Sequence, residues 1–488
     1  MALIDDYEEH DGLALAELLR TGQVCQKELF ETFLHRFEER NPRLNAVIEI
    51  FEEEMAEALS RESRQHPGSP VSPESQPFAG LPMLMKDLNV FVKGRVTSHG
   101  SAFFDGTPAA FDSVLTQRYR EAGLVIAGRT TSPECGLSAT TESKLYGATH
   151  NPWQQGISPG GSSGGAAAAV ASGIVPFAHA SDGGGSIRIP ASACGLFGLK
   201  PTRGRIPYAP ALGEGWNGMA TMHVVTRSVR DSAALLDISH GYVAGDPYAA
   251  PHVGRPFLEE VTTEPRCLRI AFTTRSPLGL DLHPDCVAAV EHAAKLCAQL
   301  GHEIKEAMPV YDHALMSQHS SVVIQSHLLA TLRAREQELG RAARDGELEA
   351  ITLNMLEGAK ALSAVDYAES QRAIHRISRE LSSFWNEYDL YLTPTLGLPP
   401  LPHGEALFKA GDRIEDYGLK MATYTPFASL ANVTGQPSMS VPLFWNQDDL
   451  PIGSCFTGAF GDEASLFQLA GQLEEQSPWF DRRPTLAV

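Results

Sequence analysis

Several features common in chains of this length are scarce here. Basic residues are outnumbered, 39 Lys and Arg against 59 Asp and Glu, for a formal charge of −20. Such a surface repels phosphate backbones and anionic lipid, so neither nucleic acid nor a membrane is expected as a partner. Cysteine is limited to seven scattered residues, an odd number. That excludes a disulfide framework and fits reduced cytosolic thiols. The longest small and apolar run, AAAAVASGIVPFAHA at 166–180, is too short for a bilayer span and contains Pro176 and His179. The opening MALIDDYEEHDG has no basic stretch followed by an apolar one, so a cytoplasmic location is expected. The 17 histidines include no HExxH or comparable spacing, and neither a metal nor a cofactor is expected. No internal repeat is visible.

What is present is the composition of a packed protein, 43% hydrophobic and 20% charged over 488 residues. Leu15, Leu18 and Leu19, then Leu29, Phe30, Phe33, Leu34 and Phe37, recur at three- and four-residue spacing behind Asp11, a helix cap. This predicts a helical arm over 1–65. A Pro- and Ser-rich loop at 66–79 follows, and a single domain over 80–488. In that domain GLVIAGRT (123–130), CLRIAFTT (267–274), DLYLTPT (389–395) and SMSVPLF (438–444) read as strands, and CVAAVEHAAKLCAQLG (286–301) as a helix closed by Gly301. The order predicts an α/β fold with a mixed, mostly parallel twisted sheet and helices on both faces. Residues 310–393 hold none of the 32 prolines and are rich in Leu, Ala, Glu and Arg. They predict a helical insertion over about 310–385.

The chemistry concentrates in SPGGSSGGAAAAVASGIVPFAHASDGGGSIRIPASACGLFGLKPT at 158–202. A run of glycine implies bare backbone, used for unusual dihedrals or for close approach of N–H groups to another molecule. No Gly-Lys-Ser/Thr ending marks a P-loop. GGSSG fits the Gly-x-Ser-x-Gly elbow of α/β-hydrolases, with Ser162 as nucleophile, but SPGG is a poor strand to enter it. Turns and caps alone would explain either stretch singly.

Taken together, GGSSGGAAAAVASG, SDGGGSIRIPASACG and GLPMLMKDLNV (80–90) resemble the amidase signature family of serine hydrolases. GATHNPW (147–153), KPTRGRIP (200–207), SVRDSAALLD (228–237), LTPT (392–395) and NVTGQPSMSVP (432–442) extend the resemblance along most of the chain. It implies a Ser–cis-Ser–Lys triad. Ser186 would be the nucleophile and Ser162, 24 residues earlier, the relay after a cis Gly161–Ser162 peptide. Lys86, a further 76 residues upstream, would be the base. Within the family the chain resembles the 6-aminohexanoate cyclic-dimer hydrolases, which act on nylon oligomers. One departure is Gly183, where the family usually has Thr, Ala or Ile, which implies a more flexible loop.

Amide cleavage passes through an oxyanion, and the N–H groups of Gly183, Gly184, Gly185 and Ser186 are candidate donors to it. Lys86 can act as base only when neutral. Burial near Met83 and Met85 would bring its pKa down from ~10.4. Asp182 and Arg188 are expected to hold the loop, and Ser163 to cap a helix or bond the relay. Cys135 and Cys194 read as buried thiols. The expected substrate is a small-molecule carboxamide, a cyclic or linear amide of the 6-aminohexanoate type. Aryl amides, esters or carbamates (a urethanase) and the glutaminase subunit of a tRNA amidotransferase are alternatives, and a homodimer is admitted as the assembly.

Overall fold

The computed structural model describes residues 3–62 and 76–485. Most of the loop expected at 66–79 thus lies outside the described residues; 77–80 form a turn that enters strand Pro82–Lys86. Asp11 accepts the Ala14 N–H at 3.0 Å and starts helix Gly12–Arg20. Helix Gln26–Leu44 follows and ends on Asn45 in the left-handed region. Leu15, Leu29, Phe30 and Phe33 are the buried side of this periodic pattern. The segment is not helical throughout. Val47–Ile50 is a strand, antiparallel to Val125–Thr130 at one edge of the central sheet.

That sheet has eleven strands. In spatial order they are Val47–Ile50, Val125–Thr130, Pro82–Lys86, Phe177–Asp182, Thr221–Thr226, Phe197–Lys200, Ser438–Trp445, Pro451–Gly458, Leu390–Pro394, Arg269–Phe272 and Glu303–Glu306. Parallel ladders join the second to fourth strands and, at the far side, the last three. Parallel pairs need a crossover. Helix Pro284–Gln299 supplies it between the last two, and Gly301 at φ 91° ends the turn that follows. The sheet is mixed, and the strands between these flanks are antiparallel to their neighbours. The parallel expectation therefore describes the flanks. The centre is built from Phe197–Lys200 and Thr221–Thr226, short strands with no helix between them to announce their direction.

Side chains of a strand point alternately to its two faces. On Pro82–Lys86, Met83 and Met85 enter one buried cluster and Leu84 another. Lys86 shares the face of Leu84, the face covered by the wholly buried helix Gly164–Ala171. A Cβ on Gly164 would lie 2.3 Å from Thr141 Oγ1, and one on Gly165 2.2 Å from Thr131 Oγ1. Those two glycines let the helix N-terminus sit directly on the strand ends. The proline-free stretch folds into helices His313–Leu339, Ala350–Lys360 and Ala364–Glu380. Asp312 caps the first, left-handed Gly340 ends it, and Ser363 with Asp366 boxes the third. Met316, Ile374 and Ile377 pack with Met219, Leu430 and Val433, so the insertion rests against the loop at 213–220. No described helix is long and apolar enough to cross a membrane.

Candidate active site

Strand Pro82–Lys86 delivers Lys86 to the end of the sheet with its side chain fully buried. Its Nζ lies 2.7 Å from Ser162 Oγ, 2.9 Å from Ser163 Oγ and 3.1 Å from Ser181 Oγ. Three hydroxyls surround the amine, and among the described residues no carboxylate bonds it. Burial is the main influence on it and pulls its pKa down to about 7, against a smaller upward pull from Asp182 and Asp87. Asp87 is fixed elsewhere, accepting from the Ser98 N–H at 2.8 Å and the Gly100 N–H at 3.1 Å. The Gly161–Ser162 peptide is cis. Ser163 stands at the N-cap of Gly164–Ala171 but makes no cap bond; its hydroxyl instead donates to Ser181 O and accepts the Ser181 N–H. Of the two roles expected for Ser163, bonding at the lysine is the one present. Ser181 escaped sequence reasoning, since nothing marks it among the residues before the glycines.

Strand Phe177–Asp182 ends at the glycine loop and helix Arg188–Cys194 begins after it. Asp182 and Arg188 are both buried and pair twice, Nε to Oδ2 at 3.0 Å and Nη2 to Oδ1 at 3.1 Å. Burial alone would raise the Asp182 pKa; the Arg188 guanidinium, helped by Lys200 and the Asn432 hydrogen bond, outweighs it and holds the carboxyl well below the usual range. The same carboxylate accepts the N–H of Gly185 at 2.7 Å and of Ile187 at 3.2 Å. The Gly185 N–H is therefore directed at Asp182. Among the described residues the N–H groups of Gly183, Gly184 and Ser186 and the Ser186 hydroxyl have no protein partner. Ser186 and Gly183 are half-buried and Gly184 is exposed. A φ of 120° at Gly185, with Ala428 Cβ 2.7 Å from where its own Cβ would stand, accounts for glycine there.

A buried, weakly basic amine facing hydroxyls, and a glycine loop carrying unpartnered N–H donors and an open serine, are the elements acyl transfer needs. Residues 28–467 match the family described as Amidase. The chain belongs to the amidase signature family. It is 36% identical to a 6-aminohexanoate-cyclic-dimer hydrolase of Paenarthrobacter ureafaciens, over 98% of this chain and 96% of that one. A solved structure of a 6-aminohexanoate cyclic dimer hydrolase superposes with a TM-score of 0.91 at 34% identity, covering 99% of this chain and all of that one. A bacterial aryl acylamidase superposes at 0.85 with 26% identity, over 96% of each chain. The protein is an amide hydrolase, close to the cyclic-dimer hydrolases.

Two of the remaining landmarks of this amidase fix the glycine loop and the helix after it. Asn151 Nδ2 and Trp153 Nε1, from HNPW, donate to Ala193 O and Cys194 O at 2.8 Å each and close the last turn of the helix that follows Ser186. From NVTGQP, Asn432 Nδ2 reaches Asp182 Oδ1 at 2.8 Å and Met219 O at 3.0 Å, while its Oδ1 accepts from Arg188 at 2.8 Å. The sequence marks that motif but gives Asn432 no role, because its partners lie more than 200 residues away. In KPTRGR, Arg205 pairs with buried Glu463 at 2.9 Å. Burial raises the thiols of Cys135 and Cys194 above their ordinary range, so neither is poised as a nucleophile.

Proposed function

We propose that this amidase cleaves a carboxamide through an acyl-enzyme on Ser186, with Ser162 as proton relay and Lys86 as base, and that the amide is cyclic or linear and of the 6-aminohexanoate type. The observation that carries the mechanism is the Lys86 amine, enclosed by Ser162, Ser163 and Ser181 with a pKa near neutrality. Neutral Lys86 takes the proton of Ser162, and Ser162 takes that of Ser186. The Ser186 hydroxyl, held by no other group, turns toward Ser162 as it attacks the carbonyl carbon. The oxyanion is met by the N–H groups of Gly183, Gly184 and Ser186, with Gly185 held back by Asp182. Each such donor contributes roughly 3–4 kcal/mol in a dry site. The C–N bond then breaks, and the amine leaves with the proton returned along the relay. Water attacks the ester by the same route in reverse and releases the acid.

Full-length similarity to the cyclic-dimer hydrolases supports the substrate class. The test is hydrolysis of a panel holding the cyclic 6-aminohexanoate dimer, the linear dimer, an anilide, a carbamate and glutamine, followed by mass spectrometry. Cleavage of the 6-aminohexanoate amides in preference to the others, abolished by Ser186→Ala, is the expected result. Equal cleavage by Ser186→Ala removes the mechanism, and preference for the anilide or carbamate replaces the substrate class.

A further inference from the structure

Gly183 has no left-handed dihedral to explain it. Its neighbour does. A Cβ on Gly183 would lie 2.5 Å from Cζ3 and 2.7 Å from Cε3 of Trp216. An indole edge therefore occupies the space that a side chain at 183 would take, directly beside one of the unpartnered N–H groups. This replaces flexibility as the reason for glycine in the loop.

The indole is held as a wall. Trp216 takes left-handed backbone at φ 51°, a conformation that a bulky side chain keeps only where its surroundings enforce it, and Asn217 continues it at φ 56°. The enforcing bonds come from three separate elements. Arg203 Nε donates to Gly218 O at 2.8 Å, Asn432 Nδ2 to Met219 O at 3.0 Å, and Gln371 Nε2 of the insertion to Asn217 Oδ1 at 3.1 Å. Met219 packs into the insertion's apolar cluster with Met316 and Ile374, and Trp216 lies against that cluster. The ring stays half-buried, between the insertion and the glycine loop.

Resting on the reading of Ser186 as nucleophile, we propose that Trp216 is a specificity-determining residue, whose indole supports an unbranched aliphatic chain attached to the scissile carbonyl. A flat apolar edge beside the carbonyl site gains contact with a methylene chain and collides with branching next to the carbonyl. The preferred class is thus the amide of an acid unbranched next to its carbonyl.

The experiment measures kcat and KM for acetyl, hexanoyl and 2-methylhexanoyl anilides with wild type, Trp216→Ala, Trp216→Phe, Gly183→Ala and the Gly183→Ala/Trp216→Ala double variant, each checked by thermal unfolding. In Trp216→Ala, kcat/KM for hexanoyl falls by about tenfold or more relative to acetyl, through KM, and the 2-methyl penalty shrinks. Trp216→Phe, which keeps an aromatic face, falls between and covers the case of an unfolded alanine variant. Gly183→Ala is damaging alone and milder once the indole is gone. An equal loss for all three acyl groups, or the same Gly183→Ala penalty with and without the indole, overturns the proposal. Ser186→Ala in the same assay separates the two levels: it removes turnover of every chain, whereas the Trp216 variants reorder the chains.

Discussion

Lys86 illustrates how one residue's surroundings set a reaction's pH dependence. Burial lowers its pKa to about 7, so in the proposed mechanism protonation removes the base below that point and deprotonation supplies it above. A pH series of kcat/KM should rise to a plateau with an apparent pKa near this value; a profile flat from pH 5 to 9 would show that the amine is not the titrating base. Ser162→Ala should lower kcat by roughly 10²–10⁴-fold, the range for a lost proton-transfer group, and Ser181→Ala by much less, since two hydroxyls still hold Nζ. The same shift has a stability consequence. A depressed lysine favours the unfolded state while that state still binds the proton, so Lys86 costs stability at and below its folded pKa and recovers it as pH rises toward its ordinary value. The unfolding free energy of wild type should therefore gain on Lys86→Met between about pH 7 and 10, as measured by denaturant titration. The meeting of Lys86 with Ser162 and Ser163 was legible through the family resemblance that their segments carry together. Ser181 and Trp216 were not, since each acquires its place only when distant segments fold together.

At the scale of elements, the glycine loop is held where one strand, two helices and the Trp216 loop meet at Asp182 and Arg188. Asn432 ties them together, bonding the end of strand Phe177–Asp182, the guanidinium at the start of the next helix, and the carbonyl of Met219 behind the Trp216 loop. Asn432→Ala leaves buried partners unsatisfied and should cost roughly 1–3 kcal/mol per orphaned group at most. It should lower kcat for every amide and reduce the melting temperature; an unchanged kcat in a folded variant would detach this tie from the chemistry. Four of the sheet's eleven strands and the insertion helices were visible in sequence. The strands at 125–130, 269–272, 390–394 and 438–445 and the insertion helices follow from apolar runs and missing proline. The antiparallel centre was hidden because Phe197–Lys200 is only four residues long and runs into the KPT landmark at Lys200, and Thr221–Thr226 follows an irregular loop, so neither shows a strand–helix alternation. Val47–Ile50 was masked by the helical periodicity around it.

For the molecule as a whole, the N- and C-terminal segments are joined through carboxylates. Asp231, at the start of helix Val229–Ser239, accepts the N–H groups of Gly12 and Leu13 at 2.6 and 2.9 Å. Asp11 accepts the Ser228 hydroxyl at 2.8 Å in return, and Glu474 of helix Glu463–Gln476 accepts the Val229 N–H at 3.1 Å. Burial, with the nearby Asp11 charge, raises Glu474 to about 7. A raised carboxyl contributes stability that is present below its unfolded pKa and lost as pH rises through the folded one. Wild type should therefore lose ground to Glu474→Gln between about pH 4.5 and 7, as followed by thermal unfolding. A constant difference across that window would mean that Glu474 titrates normally.

Hydrolysis through Ser186 is tested most directly by trapping the intermediate. The protein is mixed with an activated hexanoate ester, quenched in acid within the first turnover and digested for mass spectrometry. A single hexanoyl group on the peptide bearing Ser186, absent in Ser186→Ala, is the expected result. Acylation of Ser162 or of a cysteine, or steady turnover with no acylated serine, would contradict it.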